Sequence, residues 1–264
     1  MISCNSDSLS NNQRPIWSCD QHFSRTKTKD GMAYTTRYDG GYVLGTGSSG
    51  TVVSLIPNGE QRHRKIKAYK YSQSSMKHEY EISLSWPNKS TGLLLHPKAY
   101  FPNFEGGQGS AMVMHKYDGN LDDFCYSLNE EQNLEAVCQI SQGLVTLHDL
   151  NILHRDLFLP NIFYDKNRNR YDIGDFGRSE FCGVDSETSY EKDASSLVQT
   201  INKIFFGKNY WPELFRGAEV DVLQNQGYSS DLAEKIVNFL ANPPKNAKAI
   251  SAFFNEIKLA RSQG

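Results

Sequence analysis

Long apolar runs are missing from this 264-residue sequence. No stretch approaches the roughly 18 to 20 apolar residues that cross a bilayer, and the first residues lack the apolar core of a secretory signal. The chain is therefore expected to work in water, with no membrane partner. Paired cysteine motifs are missing too. The five cysteines, Cys4, Cys19, Cys125, Cys138 and Cys182, are odd in number, scattered and free of any C-x-x-C. That argues against a disulfide framework and a zinc site, and for a reducing compartment. Charge of one sign is scarce as well: 28 Lys and Arg against 30 Asp and Glu leave a net charge of -2, which gives no sign of a nucleic-acid surface. Internal repeats and long low-complexity runs are absent.

What is present is ordinary globular material, 38% hydrophobic and 12% aromatic, enough for one domain or two small lobes. Residues 1–35 are rich in Ser, Asn, Gln and Thr at their start and read as a flexible leader. Residues 42–72 alternate β-branched or aromatic residues with Gly and polar clusters. Three antiparallel strands are expected there, with a hairpin near Pro57, Asn58 and Gly59. A short helix fits 74–86, stopped by Pro87, and strand signals return at 96–100 and 111–117. After Gly119 the period changes. Leu134, Val137, Cys138, Ile140, Ser141, Leu144 and Leu147 form one stripe of a helix over 130–148. A loop at 151–161, a hairpin at 162–173 and helices near 193–206, 230–240 and 247–261 follow. The expected class is α+β, with a β-rich N-lobe at about 36–117 and a helical C-lobe at about 118–264.

Four segments carry chemistry. Gly45-Thr46-Gly47-Ser48-Ser49-Gly50-Thr51-Val52 reads G-x-G-x-x-G-x-V between two expected strands, where missing Cβ atoms let backbone N–H groups approach phosphate oxygens. Alone such a hairpin is more often a plain turn, and a Rossmann motif is disfavoured because a strand follows Gly50. Ala68-Tyr69-Lys70 ends the next strand, and the helix after it offers Glu79 and Glu81 as carboxylate partners for Lys70. His154-Arg155-Asp156-Leu157-Phe158-Leu159-Pro160-Asn161 satisfies H-R-D-L-x-x-x-N at every fixed position, and Asp175-Phe176-Gly177 follows a hairpin-length interval later.

In this order the segments resemble the eukaryotic-type protein kinase family, from about Tyr42 to the C-terminus. The resemblance implies a minimal, two-lobed protein kinase-like fold spanning 36–264. It also implies transfer of the γ-phosphate of ATP to a protein hydroxyl, Ser or Thr before Tyr, with Mg²⁺ as the metal and Mn²⁺ as a substitute. Asp156 would accept or orient the hydroxyl proton, and Asn161 and Asp175 would hold the metal. Lys70, braced by Glu79 in preference to Glu81, would reach the phosphates. Arg155 would read an activation-loop phosphate. Met114 would stand as gatekeeper before an adenine-binding connector at His115, Lys116 and Tyr117. Asp193 would either brace the catalytic loop or simply cap a helix.

Two departures stand out. The activation segment between Asp175 and Asp193 is short and lacks Ala-Pro-Glu, Trp211-Pro212-Glu213 being only a loop that looks similar. Activity without activating phosphorylation is expected, although Ser179, Thr188, Ser189 and Tyr190 offer hydroxyls. Phe158 stands where Ser/Thr kinases put a phosphate-contacting lysine. A complete catalytic set, a trimmed segment and a Ser/Asn-rich leader together resemble the HopBF family of bacterial type III effector kinases. That likeness implies a monomer, cytoplasmic or secreted into a host cytoplasm, with the chaperone HSP90 as protein substrate. Two rivals remain: a small-molecule phosphotransferase acting on a sugar or aminoglycoside, and a nucleotide-binding pseudokinase scaffold.

Overall fold

The computed structural model describes residues 2–3, 16–19, 23–29, 32–47, 50–58, 67–73, 75–86, 93–104, 109–183, 187–207 and 217–263. Its backbone divides into two compact units, residues 1–88 with 96–116 and residues 89–95 with 117–264. No helix among the described residues is long and apolar enough to cross a membrane.

The first unit is one eight-stranded antiparallel sheet. In chain order its strands are β1 (Ile2–Ser3), β2 (Ile16–Cys19), β3 (Phe23–Lys29), β4 (Met32–Gly47), β5 (Gly50–Pro57), β6 (Lys67–Ser72), β7 (Ala99–Phe104) and β8 (Gly109–His115). They lie in the order β1-β2-β3-β4-β5-β6-β8-β7, with helix α1 (Lys77–Ser83) following β6. The sheet curls until β2 comes up beside β7. Its concave face holds a core of Phe23, Tyr38, Leu55, Phe101, Ala111 and Val113, with Tyr69, Tyr71 and Phe104 packed against it. The Phe23 ring stacks on Phe104 at 5.7 Å and meets Phe101 edge-on at 5.4 Å. β4 shifts register between Gly40 and Val43, and Ser54 Oγ satisfies the backbone freed there, accepting from Tyr42 N at 2.9 Å and donating to Tyr42 O.

The expected leader and the described strands overlap. β1, β2, β3 and the start of β4 fall inside residues 1–35, joined to the sheet by ladder pairing and by the Phe23 ring, whose burial contributes about 2 kcal/mol. The expected helix at 74–86 is confined to α1.

The second unit is mostly helical. It comprises β9 (Gly119–Asn120), α2 (Leu121–Phe124), α3 (Glu130–Asp149), β10 (Ile152–Leu153), β11 (Ile162–Asp165), β12 (Arg170–Ile173), β13 (Glu180–Phe181), α4 (Glu187–Phe206), α5 (Glu219–Asn225), α6 (Ser230–Ala241) and α7 (Ala247–Ser262). α3 begins where Asn129 and Gln132 cap each other: Asn129 Oδ1 accepts from Gln132 N at 2.9 Å, and the Gln132 side chain accepts from Asn129 N at 3.0 Å. Its apolar stripe is the one the sequence predicts, and α7 packs along it. Phe205, Phe239 and Phe254 close the core around it. β11 and β12 form the expected hairpin, with Ile162 opposite Ile173.

Candidate active site

The residues singled out by sequence fall into two sets, one in each unit. In the first unit, β6 alternates its faces: Tyr69 and Tyr71 join the aromatic core, while Lys70 emerges on the opposite side. Met76 N donates to Ser110 Oγ at 2.9 Å, which ties the start of α1 to β8. Glu79, in the first turn of α1, accepts Lys70 Nζ on both carboxylate oxygens, at 2.8 Å and 3.1 Å. The two side chains are 7% and 6% exposed, so each charge is balanced by the other largely out of water. Glu81 instead faces solvent, 3.5 Å from Lys77. Two residues along a helix turn a side chain by about 200°, which puts Glu79 and Glu81 on different faces.

The glycine-rich segment forms the end of the β4–β5 hairpin. Gly45 lies opposite Val52, Thr46 opposite Thr51 and Gly47 opposite Gly50. Ser48 and Ser49 lie outside the described residues. Gly50 has φ +128°, and a Cβ there would stand 2.3 Å from Tyr71 O, so only glycine fits. At Gly45 and Gly47 the reason is different: a Cβ would meet nothing within 4 Å. Among the described residues their bareness serves no packing, and it leaves the hairpin backbone open. Met114 is buried on β8 beside Ala68, and His115 pairs with Lys67.

In the second unit, the turn from His154 to Asn161 is clamped from below. Asp193 Oδ2 accepts from His154 N at 2.7 Å and Oδ1 from Arg155 N at 2.8 Å, while His148 Nε2 lies 3.2 Å from Oδ2. Burial would raise the Asp193 carboxyl, but these bonds outweigh it and hold the group below its ordinary value. Asp193 is no helix cap, because α4 starts at Glu187, so of the two sequence readings it is the brace. Burial pushes the fully enclosed His154 imidazole down, against the pull of the Asp193 carboxylate. Neutral His154 then donates from Nε2 to Gly174 O at 3.1 Å and accepts Asp156 N on Nδ1 at 3.3 Å.

Asn161 Nδ2 donates to Asp156 O at 2.8 Å and Asp156 Oδ2 at 3.1 Å. With its amide hydrogens used this way, Asn161 offers Oδ1 to a cation. Gly174 N donates to Asn161 O at 2.8 Å, which brings the Asp175 segment alongside, Asp175 itself holding a left-handed φ of 57°. An amide oxygen and a carboxylate are hard donors that suit Mg²⁺, which takes its remaining ligands from phosphates and water. Among the described residues no cluster of three acidic, His or Cys side chains forms a dedicated metal cage, and such a shared ion needs none.

Three further placements bear on the sequence reading. Tyr117 OH donates to Asp172 Oδ2 at 2.6 Å, and burial followed by the Asp172 charge pushes its phenol well up, so the side chain is committed to a polar core and only its backbone is left for a connector. Ser179 is buried and donates to His154 O at 3.2 Å, which removes it from the accessible hydroxyls. Trp211-Pro212-Glu213 lies outside the described residues.

Two residues were missed by sequence reasoning. Glu180 Oε2 accepts Arg155 Nη1 at 2.6 Å, and Arg178 Nη1 reaches Asp156 Oδ1 at 3.3 Å. For Arg178 the signal available was a basic residue directly after Asp-Phe-Gly; for Glu180 there was none, since the β10–β13 pairing that sets it opposite Leu153 shows only in the fold.

Comparison with known proteins agrees with this geometry. The human serine/threonine-protein kinase Nek5 is 32% identical over 155 residues, covering 53% of this chain and 21% of the relative. Nek5 of Mus musculus is 30% identical over 145 residues, 51% of this chain and 22% of its own. The serine/threonine-protein kinase pakG of Dictyostelium discoideum is 31% identical over 163 residues, 60% of this chain and 13% of its own. This chain thus spans only a minor part of each of those proteins. The protein kinase domain model matches residues 38–202, from β4 through most of α4. With that match, and with a curled antiparallel sheet in one unit and helices in the other, the chain belongs to the protein kinase family and has its two-lobed α+β fold.

Proposed function

We propose that this chain is a serine/threonine-protein kinase that transfers the γ-phosphate of Mg-ATP to a protein hydroxyl. The observation that carries the reading is the Asp156–Asn161 arrangement on a loop clamped by Asp193. A carboxylate pre-set by an amide, on a backbone that cannot drift, is what positioning a hydroxyl demands. Bound Mg-ATP supplies the transferable phosphoryl group and the charge neutralisation around it. Lys70, held by Glu79, and the Gly45–Gly50 hairpin bind phosphate oxygens. Asp156 orients the hydroxyl and receives its proton, while Asn161 and Asp175 offer the oxygens that a divalent ion takes. Preference for Ser or Thr is supported by the names of the relatives.

The finer reading is an effector of the HopBF kind, a monomer delivered into a host cytoplasm through a type III system and acting on HSP90. It is supported by the short segment between Asp175 and α4 and by the composition of the first residues. The test is transfer of labelled γ-phosphate by the purified chain in a eukaryotic extract, beside Asp156→Ala. A protein band labelled by the native chain alone is expected, and purified HSP90 added as sole acceptor decides the finer reading. Label on a sugar or aminoglycoside instead would mean a small-molecule phosphotransferase. ATP binding with no transfer would mean a scaffold.

A further inference from the structure

Both oxygens of the Asp156 carboxylate are engaged, Oδ2 by Asn161 and Oδ1 by the guanidinium of Arg178. Arg178 is presented from a backbone fixed on both sides. Before it, the Phe176 ring is buried against His154, with centroids 5.4 Å apart; after it, Ser179 N donates to Phe176 O and Ser179 Oγ to His154 O. The arginine side chain itself is 71% exposed. An ion pair that open to water adds little to stability, so its position is not explained by folding.

Charge explains it better. Within the catalytic loop, Arg155 is tied to Glu180, and the side chain two places past Asp156 is the apolar Phe158, whose ring lies 5.9 Å from Lys203 Nζ. Phosphoryl transfer brings a polyanion up to Asp156, and two anions at contact distance repel unless a cation stands beside them. Among the described residues, Arg178 is the cation paired with that carboxylate. Asp156 engages one of its five N–H donors.

We infer that Arg178 is a positioning residue of the transfer site, the charge-compensating partner of Asp156. The inference rests on the kinase reading. It is tested with the full chain as wild type, Arg178→Gln, Arg178→Lys and, as control, Lys235→Gln, whose lysine makes an exposed pair with Asp231 on α6 away from the loop. Label transfer from ATP to casein is followed at saturating Mg-ATP, together with KM for ATP and the unfolding temperature. For Arg178→Gln, kcat should fall about 10- to 100-fold while KM changes less than about threefold, as expected for a charge-assisted contact that acts in the transition state. Arg178→Lys should recover most of kcat, and the unfolding temperature and the control should stay at wild-type values. Arg178→Gln with unchanged kcat, or Gln and Lys variants falling together with a lowered unfolding temperature, overturns the inference alone. The assay uses a labelled protein of the eukaryotic extract as acceptor where casein is not labelled, and wild type that binds ATP but labels neither casein nor any protein of the extract overturns the kinase reading and takes this inference with it.

Discussion

Removing the Asp193 carboxylate should loosen the catalytic loop before it touches any reacting atom. In Asp193→Ala, the backbone N–H groups of His154 and Arg155 lose their acceptor in a site with 2% exposure. Each stranded donor costs about 1 to 3 kcal/mol, and the bonds lost were to a charged acceptor, so about 3 to 5 kcal/mol is expected in total. That is a large part of the roughly 5 to 15 kcal/mol that holds an ordinary domain together. Asp193→Asn keeps one oxygen and the shape but sets an NH₂ against an N–H, so about half the loss is expected. Urea unfolding followed by far-UV circular dichroism reads this, because the long helices belong to the second unit. Acidity adds a second signature. The Asp193 carboxyl is held below its ordinary 3.8, so below that pH the unfolded chain gains a proton that the folded chain refuses, and stability falls. Asp193→Asn abolishes this slope, and its deficit against wild type should shrink in acid. His154 acts in the same direction from its ordinary 6.5 downward in both proteins. A loss under about 1 kcal/mol in Asp193→Ala, with the acid slope intact, would refute the clamp.

The Lys70–Glu79 pair makes a contrast possible within one helix. Glu79→Gln leaves a buried ammonium without its carboxylate and should cost about 3 to 5 kcal/mol and most of the transfer rate, whereas the exposed Glu81→Gln should stay within about 0.5 kcal/mol of wild type by thermal melting. The Arg155–Glu180 pair is 55% and 47% exposed, so Glu180→Gln should lower kcat by no more than about fivefold. Phosphatase treatment of the wild type before assay should change nothing, since Arg155 already has its anion; a large loss on that treatment would contradict it.

Local patterns were the legible ones. The β11–β12 hairpin, the α3 stripe and the two last helices depend on neighbours within a few residues, and their periods are visible in the text. β3 was hidden because its run Ser24 to Lys29 is polar, while what holds it, pairing with β2 and β4 and the Phe23 ring against Phe101 and Phe104, includes partners far along the chain. The first turns of α4, Thr188 to Lys192, are polar and lack an apolar stripe, so a helix seemed to begin at Asp193. α5 was missed for its shortness. The motifs at the site were legible because they are contiguous. Arg178 and Glu180 were not, because a turn and a strand register, not sequence spacing, bring them to Asp156 and Arg155.

The shortness of the segment after Asp175 then has a physical consequence. β10 and β13 are two residues each, too short to pair unaided, yet Cys182 N donates to Asn151 O at 2.7 Å and Ser179 is anchored beneath His154, so the pairing is held at both ends. That register alone carries Glu180 to Arg155, and the turn just before it carries Arg178 to Asp156. An insertion between Gly177 and Ser179 would move Arg178 while leaving the strands paired; one between Ser179 and Glu180 would slip the strands and turn Glu180 to the opposite face. Both charge pairs therefore require a tight segment, and a carboxylate carried in the chain, Glu180, supplies the anion that Arg155 holds.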